Sequence, residues 1–192
     1  MKCRFPEVLI ELRSSEINGV GVFALKPIGR LAPIAQGICE DDYKDLILWD
    51  SVRVCSKTIR DKINAFCICT PEGFLAPDDN DFNRLSIEWY LNHSCDGNVG
   101  FNDDGDFVAR RRVAKGEELT YDYGLAESNP RFRMVCFCGS SNCRSVITGN
   151  DWKDPVFRAQ NLNYMLPRLR RVADVHVAKA AHPRKVAGAR RG

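Results

Sequence analysis

Over the first two thirds of the chain, apolar residues alternate with polar ones in short stretches separated by turn residues, which predicts many short strands rather than long helices. Val8, Ile10 and Leu12 alternate with Leu9, Glu11 and Arg13. Asn18 and Gly19 then supply a turn before Val20, Val22 and Phe23, so a hairpin or a tight strand connection is expected. A second pair of stretches, Val99 to Asn102 and Asp106 to Arg112, brackets Asp104 and Gly105. Asn102, Asp104 and Asp106 resemble the start of a calcium loop, but the glycine falls one residue early and no glutamate closes the loop, so a hairpin turn is predicted. Lys115 and Gly116 make a further turn before Glu118 to Tyr123, a segment rich in strand-favouring residues. Between Cys39 and Ser86 the pattern weakens. Asp42 to Trp49 fits a short helix and Pro71 to Asp81 is turn-rich, which marks a variable insert. After Asn150 a helix is predicted, with Asp154 as its cap, Pro155 in its first turn, and Leu162, Met165 and Leu166 on one face. Pro167 ends or kinks it, and Leu169, Val172, Ala173 and Val175 to Ala181 extend a basic helix. His182 onward reads as disordered.

The chain has 192 residues, of which 44% are hydrophobic and 28% charged, enough for one domain with short appendages. No apolar run approaches the roughly 18 residues of a membrane span, and Met1 to Pro6 lacks the apolar centre of a signal peptide, so an intracellular protein, cytoplasmic or nuclear, is expected. The net charge of +3 is unevenly spread. From Arg168 to Gly192 eight basic residues accompany one acid, Asp174, giving this end +7 and leaving −4 on the rest. The acids cluster at Glu40, Asp41, Asp42 and Asp45, at Asp78, Asp79 and Asp81, and at Asp103, Asp104 and Asp106. Solvated loops explain any one cluster, while together they can attract a cationic partner.

Nine cysteines are many for a reducing compartment, and the odd number suits complete disulfide pairing poorly. Cys136, Cys138 and Cys143 lie in the string Cys136-Phe137-Cys138-Gly139-Ser140-Ser141-Asn142-Cys143. A closed zinc site needs four soft ligands, so a fourth must come from elsewhere, and Cys95 is the candidate. Cys67 and Cys69, two apart on a strand, face one side and commonly just pack. Cys3, Cys39 and Cys55 carry no partner signal.

Asn92-His93-Ser94-Cys95, then Gly116-Glu117-Glu118-Leu119-Thr120-Tyr121-Asp122-Tyr123-Gly124, then the cysteine string follow one another in an order that resembles the SET-domain protein lysine methyltransferases with a zinc-binding post-SET segment. The resemblance covers roughly residues 7 to 147 and opens on Gly19-Val20-Gly21, the family's Gly-x-Gly cofactor loop. It implies a mainly β fold with short helices: a β-clip whose segment after the Asn-His-Ser motif threads beneath another to form a pseudoknot, followed by the zinc-bound segment and a C-terminal helix. The corresponding domains are a SET domain over 1–128 with its variable insert at about 40–86, a post-SET segment over 129–149, a helical extension over 150–181 and a basic tail over 182–192. The resemblance also implies that S-adenosylmethionine is bound by Gly19, Val20, Gly21, Tyr90, Asn92, His93, Tyr123 and Ile147. For Asn92 and His93 a structural role stands beside direct contact, and Val146, Ile147 or Trp152 is placed to cover the adenine. Structural zinc would be held by Cys95, Cys136, Cys138 and Cys143.

By the same resemblance Tyr123 is the catalytic tyrosine that orients a lysine amine, and Tyr121 is the Phe/Tyr switch that limits the number of methyls. Alternation along a strand puts both on one face. Three departures from the family pattern stand out. Gly97 replaces a proline between Cys95 and Asn98, Trp89-Tyr90 stands where an arginine and an aromatic are usual, and Ser145 follows Arg144 where glycine is common. The implied reaction is methyl transfer from S-adenosylmethionine to a lysine of a protein substrate, possible examples being a histone or another basic protein, with the basic tail offering at most a weak nucleic-acid contact and no membrane partner. The rival readings are a catalytically silent SET domain that binds peptides or scaffolds a complex, and a zinc-containing nucleic-acid-binding protein.

Overall fold

The computed structural model describes residues 9–37, 46–77 and 80–181. The acidic residues at 40–42, 45, 78 and 79, Cys3, Cys39, Met1 to Val8 and the basic tail from His182 lie outside the described residues.

Twelve strands among the described residues are all short, as the alternation predicts. The first hairpin pairs β1 (Ile10–Ser14) with β2 (Val20–Ala24), register Leu12 against Val22, and Gly19 takes the left-handed φ of +49° that its turn requires. A second hairpin joins β8 (Val99–Phe101) to β9 (Phe107–Ala109). Its turn is closed by the Asn102 side-chain carbonyl, which accepts from the backbone N–H groups of Asp104 (2.9 Å) and Asp106 (2.8 Å). That group serves the turn and not a cation. With β3 (Pro33–Ala35), β7 (Asn92–His93) and β10 (Glu118–Tyr121) these strands form one seven-stranded sheet, order β1-β2-β10-β8-β9-β3, in which β7 also pairs with β10. The main core packs Val22, Leu91, Val99, Phe101, Leu119 and Leu125 with Phe157, Met165 and Leu166 from the C-terminal helices.

Within the weakly patterned centre, β4 (Ile47–Leu48), β5 (Ile68–Cys69) and β6 (Gly73–Leu75) make a small separate sheet, order β4-β6-β5. The helix expected over Asp42 to Trp49 therefore gives way, where the chain is described, to strand β4 and a 3-10 turn over Trp49–Val54. Pairing of Ile47 with Phe74 and of Leu48 with Gly73 overrides the local helical pattern. A helix does form nearby, α1 (Lys57–Phe66), capped by Ser56, which accepts from the Ile59 N–H. It buries Ile63, on the same face as Ile59 and Phe66. At the C-terminal end Asp154 caps α2 (Pro155–Asn161) and Pro167 opens a second helix, α3 (Pro167–Ala181). No helix among the described residues is long and apolar enough to cross a membrane.

The centre of the sheet has an unusual connection. Tyr121 of β10 pairs in parallel with both His93 and Val99. A strand has two edges, so β7 and β8 occupy opposite ones and the segment between them must cross β10. At the crossing Gly97 lies directly on β10, where a Cβ would sit 2.8 Å from the Tyr121 Cα and 2.9 Å from the Asp122 N. Asn98, buried, then clips the strand by accepting from the Thr120 N–H (3.0 Å) and donating to the Glu118 carbonyl (2.8 Å). The glycine at 97 is thus a packing requirement in this chain, beyond any change in turn stiffness. Gly97→Ala is expected to cost about 1–3 kcal/mol through forced backbone displacement, read as a lower Tm and an earlier urea midpoint. An unchanged melt would show that the crossing has slack.

Candidate active site and metal centre

The site grows from the exit of β10. Tyr121 ends the strand, and Asp122 caps a 3-10 turn over Tyr123–Leu125 by accepting from the Gly124 N–H at 2.9 Å. The strand expected to run through Tyr123 therefore stops two residues early. The two tyrosines still meet, with ring centroids 4.8 Å apart, because the turn brings the second ring back beside the first. Both line a cavity of about 830 Å³, together with Phe66, Trp89, Phe107 and Phe132. The Tyr123 hydroxyl donates to the Leu91 carbonyl at 3.1 Å. Burial pushes both phenols above their ordinary value, so they remain protonated hydrogen-bond donors at neutral pH.

His93 is 5% exposed. Its Nδ1 accepts from the Tyr123 N–H at 3.1 Å, which puts the ring proton on Nε2, 3.5 Å from the Cys95 Sγ. Burial lowers its pKa to about 4, so the ring is neutral at neutral pH and the Asp122 carboxylate 3.9 Å from Nδ1 does not form an ion pair with it. The side chain faces the catalytic turn and the cysteines. Its backbone pairs with Tyr121.

Asn92 gathers the glycine loop. Its Nδ2 donates toward the carbonyls of Asn18 and Val20, each at 3.1 Å, and toward Glu118 Oε1 at 2.9 Å. Ser15 donates to the same carboxylate at 2.8 Å. Gly21 lies against this group, where a Cβ would fall 2.1 Å from Glu118 Oε1 and 3.1 Å from Asn92 Nδ2. Two carbonyls, a carboxylate and a glycine with no side chain form an acceptor-rich cradle that suits a cationic ligand such as an ammonium or sulfonium. Glu118 was not among the residues expected here; its position opposite the glycine loop depends on the β2–β10 pairing. Tyr90 instead packs edge-on to Phe66 at 6.0 Å, and Ile147 is fully buried among Cys95, Cys136, Tyr123 and Phe132. Trp152 is also buried, its indole donating to the Gly149 carbonyl at 2.8 Å.

The thiols of Cys95, Cys136, Cys138 and Cys143 all lie within 4.8 Å of one another. Cys95 and Cys136 sulfurs are 3.9 Å apart, against about 3.8 Å for two sulfurs at tetrahedral Zn–S distances of about 2.3 Å. Backbone N–H groups of Cys138, Arg144 and Ser145 each point at a cluster sulfur, at 3.4 Å, as donors to thiolates do. The donor set therefore fits a structural zinc. Cys67 and Cys69 are buried free thiols and do not join this cluster, and Cys55 is free as well.

The cysteine segment forms β11 (Arg133–Val135) and β12 (Val146–Thr148), an antiparallel pair. One residue missed by sequence reasoning clamps it to the catalytic turn. Arg144 grips Asp122 bidentately, at 2.6 and 2.7 Å, reaches Asp151 at 3.1 Å, and lies over the Phe157 ring at 4.9 Å. Asp122 is 1% exposed, so this pair supplies the charge its burial demands. Its signal was the arginine directly after the third clustered cysteine. Ser145 beside it has φ +62°, the left-handed region that explains why glycine is common there.

The chain matches the SET domain family over residues 19–124. It is 39% identical over 144 residues to the histone-lysine N-methyltransferase ash1 of Drosophila melanogaster, an alignment covering 69% of this chain and 6% of that protein. It is 38% identical over 73 residues to the histone-lysine N-methyltransferase ATX2 of Arabidopsis thaliana, covering 34% of this chain and 7% of the relative. The solved structure of KRYPTONITE in complex with mCHG DNA and SAH aligns over 76% of this chain and 30% of that chain, at 22% identity and a TM-score of 0.47. The chain thus spans a small fraction of the curated relatives it matches.

Metal analysis of the purified protein is expected to find about one zinc per chain, lost in Cys136→Ser. Exhaustive chelation should lower the Tm by about 5 °C or more, since structural zinc contributes folding energy. A metal-free protein with an unchanged melt would remove the zinc assignment.

Proposed function

The chain belongs to the SET-domain family, and from that premise we propose that it transfers a methyl group from S-adenosylmethionine to the side-chain amine of a lysine in a protein substrate. The observation that carries the reading is the Tyr121–Tyr123 pair on the wall of a cavity lined in part by aromatic side chains, held by the same turn that contacts His93 and the cysteine cluster. The relatives' names support a histone or a similarly basic protein as substrate, which fits a nuclear or cytoplasmic setting. The glycine loop, Gly19 to Gly21, and Asn92 would hold the cofactor, whose sulfonium supplies an electrophilic methyl.

Each residue then has a physical task. Phe66, Trp89 and Phe107 exclude water and pack along the aliphatic part of a lysine. The Tyr123 hydroxyl, anchored on the Leu91 carbonyl, fixes the direction of the amine nitrogen. Tyr121 is buried and presents a second hydroxyl, which occupies space that added methyls would need. Asp122, tied to Arg144, holds the turn so that both rings keep their geometry. A lysine with a pKa of about 10.4 costs about 4–5 kcal/mol to deprotonate at pH 7. Desolvation in an aromatic cavity reduces that cost, because burial disfavours the ammonium.

Labelled-cofactor transfer to core histones, peptide arrays and cell lysate tests the reading. Tyr123→Phe should reduce transfer by at least about 100-fold with little change in Tm, as loss of a positioned donor does. Equal transfer by both proteins would refute the catalytic role. Tyr121→Phe should shift product masses toward higher methyl counts per lysine, and an unchanged product distribution would reject the switch role.

A further inference from the structure

Removing a proton from the lysine needs a receiver, and the two phenols are already protonated donors. The same cavity wall carries a buried acid to which no role has yet been given. Glu127 is 4% exposed, and both its oxygens lie 3.2 Å from a single donor, the Cys69 N–H. A carboxylate offers about four lone-pair sites, so one N–H leaves most of its capacity free. The 3-10 turn delivers it beside the tyrosines, for the Glu127 N–H donates to the Tyr123 carbonyl at 2.9 Å.

Among the described residues its surroundings contain no cation. Tyr121 and Tyr123 face it from one side, and Cys67 and Cys69 from the approach to β5 and from β5 itself. Burial pushes the Cys67 thiol up to about 12, so it stays neutral. The described residues lining the cavity include a second acid, Glu88, and no lysine, arginine or histidine. Asp122, five residues earlier and equally buried, has Arg144; Glu127 has no such partner among the described residues.

Resting on the methyl-transfer reading above, we infer that Glu127 is the proton acceptor for the substrate lysine. The ammonium enters the cavity, one N–H bond breaks, and the proton passes to a Glu127 carboxylate oxygen, directly or through one water. The electron pair of that bond stays on nitrogen as the lone pair that would form the new N–C bond while the methyl donor's S–C bond would break, its electron pair going to sulfur to leave a neutral thioether, and the acid later returns its proton to solvent. Cation and carboxylate thus become neutral amine and neutral acid, the arrangement a desolvated pocket favours. Burial raises the Glu127 pKa to about 8, near the working pH, as proton acceptors require.

Two measurements test this. The first is the pH dependence of initial methyl-transfer rates to core histones at limiting substrate. Wild type should rise to a break near pH 8 and stay level toward the lysine pKa of about 10.4. Glu127→Gln should lose the break, rise with unit slope to about pH 10, and be at least about tenfold slower at pH 8. A purely structural role would lower rates alike at every pH. A wild-type rate that climbs without a break to about pH 10 overturns the inference without any variant. The second is calorimetric titration with n-butylamine, a lysine side-chain mimic, at pH 7 without cofactor, in two buffers of different ionisation enthalpy. Wild type should release close to one proton per ligand, and Glu127→Gln should bind at least about tenfold more weakly. Equal binding by both proteins overturns the inference. Absence of any methyl transfer by wild type would overturn the functional reading itself, whereas an active enzyme whose profile is unmoved in Glu127→Gln overturns only the role of Glu127.

Discussion

The structure depends on one strand with no free edge. Because β10 is paired at Tyr121 with both His93 and Val99, the chain between those partners has to pass across it, and Gly97 and Asn98 are the residues that permit the passage. Buried backbone groups need partners, and Asn98 provides them where the crossing interrupts the ladder, at the Thr120 N–H and the Glu118 carbonyl. The crossing also fixes geometry in three directions. It sets Asn92 beside the glycine loop, puts His93 behind Tyr123, and presents Cys95 to the segment that arrives later in the chain.

That later segment has little core of its own. Its hairpin buries Ile147 against Cys95 and Cys136, while Val135 and Phe137 remain exposed. Two devices compensate, and they converge on the same place. The four thiols gather at the end of the crossing, and Arg144, next to the last of them, reaches back to Asp122. A metal bound at the cysteines would therefore hold the same short peptide as the ion pair at Asp122. The left-handed backbone at Ser145 is tolerated because these two attachments determine the conformation around it. His93 connects them again, with one ring nitrogen toward Tyr123 and the other toward Cys95. Order in the cysteine segment and order in the tyrosine turn are thus linked through contacts no longer than hydrogen bonds.

The parts legible in the sequence were those with local causes. Asn18-Gly19 and Asp104-Gly105 announce hairpins through turn chemistry, and Asp154-Pro155 announces a helix start through capping. The cysteine spacing carried the four-thiol cluster, including its distant fourth member, because zinc chemistry demands a ligand number that three residues cannot meet. Features set by tertiary contact were not legible. Strand β4 exists because Gly73 leaves room for the Ile47 carbonyl, 2.1 Å from where a Cβ would be. Tyr123 leaves the strand because Asp122 caps the following turn, a choice made by one side chain against the alternation around it. Glu118, Arg144 and Glu127 gain their settings from partners some 20 to 100 residues away in sequence, at Ser15, Asp122 and Cys69.

The contrast between Asp122 and Glu127 bears on what kind of site this is. Both are buried acids flanking Tyr123, and burial of an isolated carboxylate is strongly unfavourable. The fold answers that cost at Asp122 with a bidentate arginine and leaves it unanswered at Glu127. Glu127 does hold β5 by accepting from the Cys69 N–H, its one donor among the described residues, but a neutral glutamine carbonyl would accept that bond without the cost of burying an ionisable group. The paired carboxylate keeps its charge and holds geometry. The unpaired one sits between charge states beside two neutral phenols, and in a cavity lined by aromatic rings and acids the arrival of a cation is what would complete it.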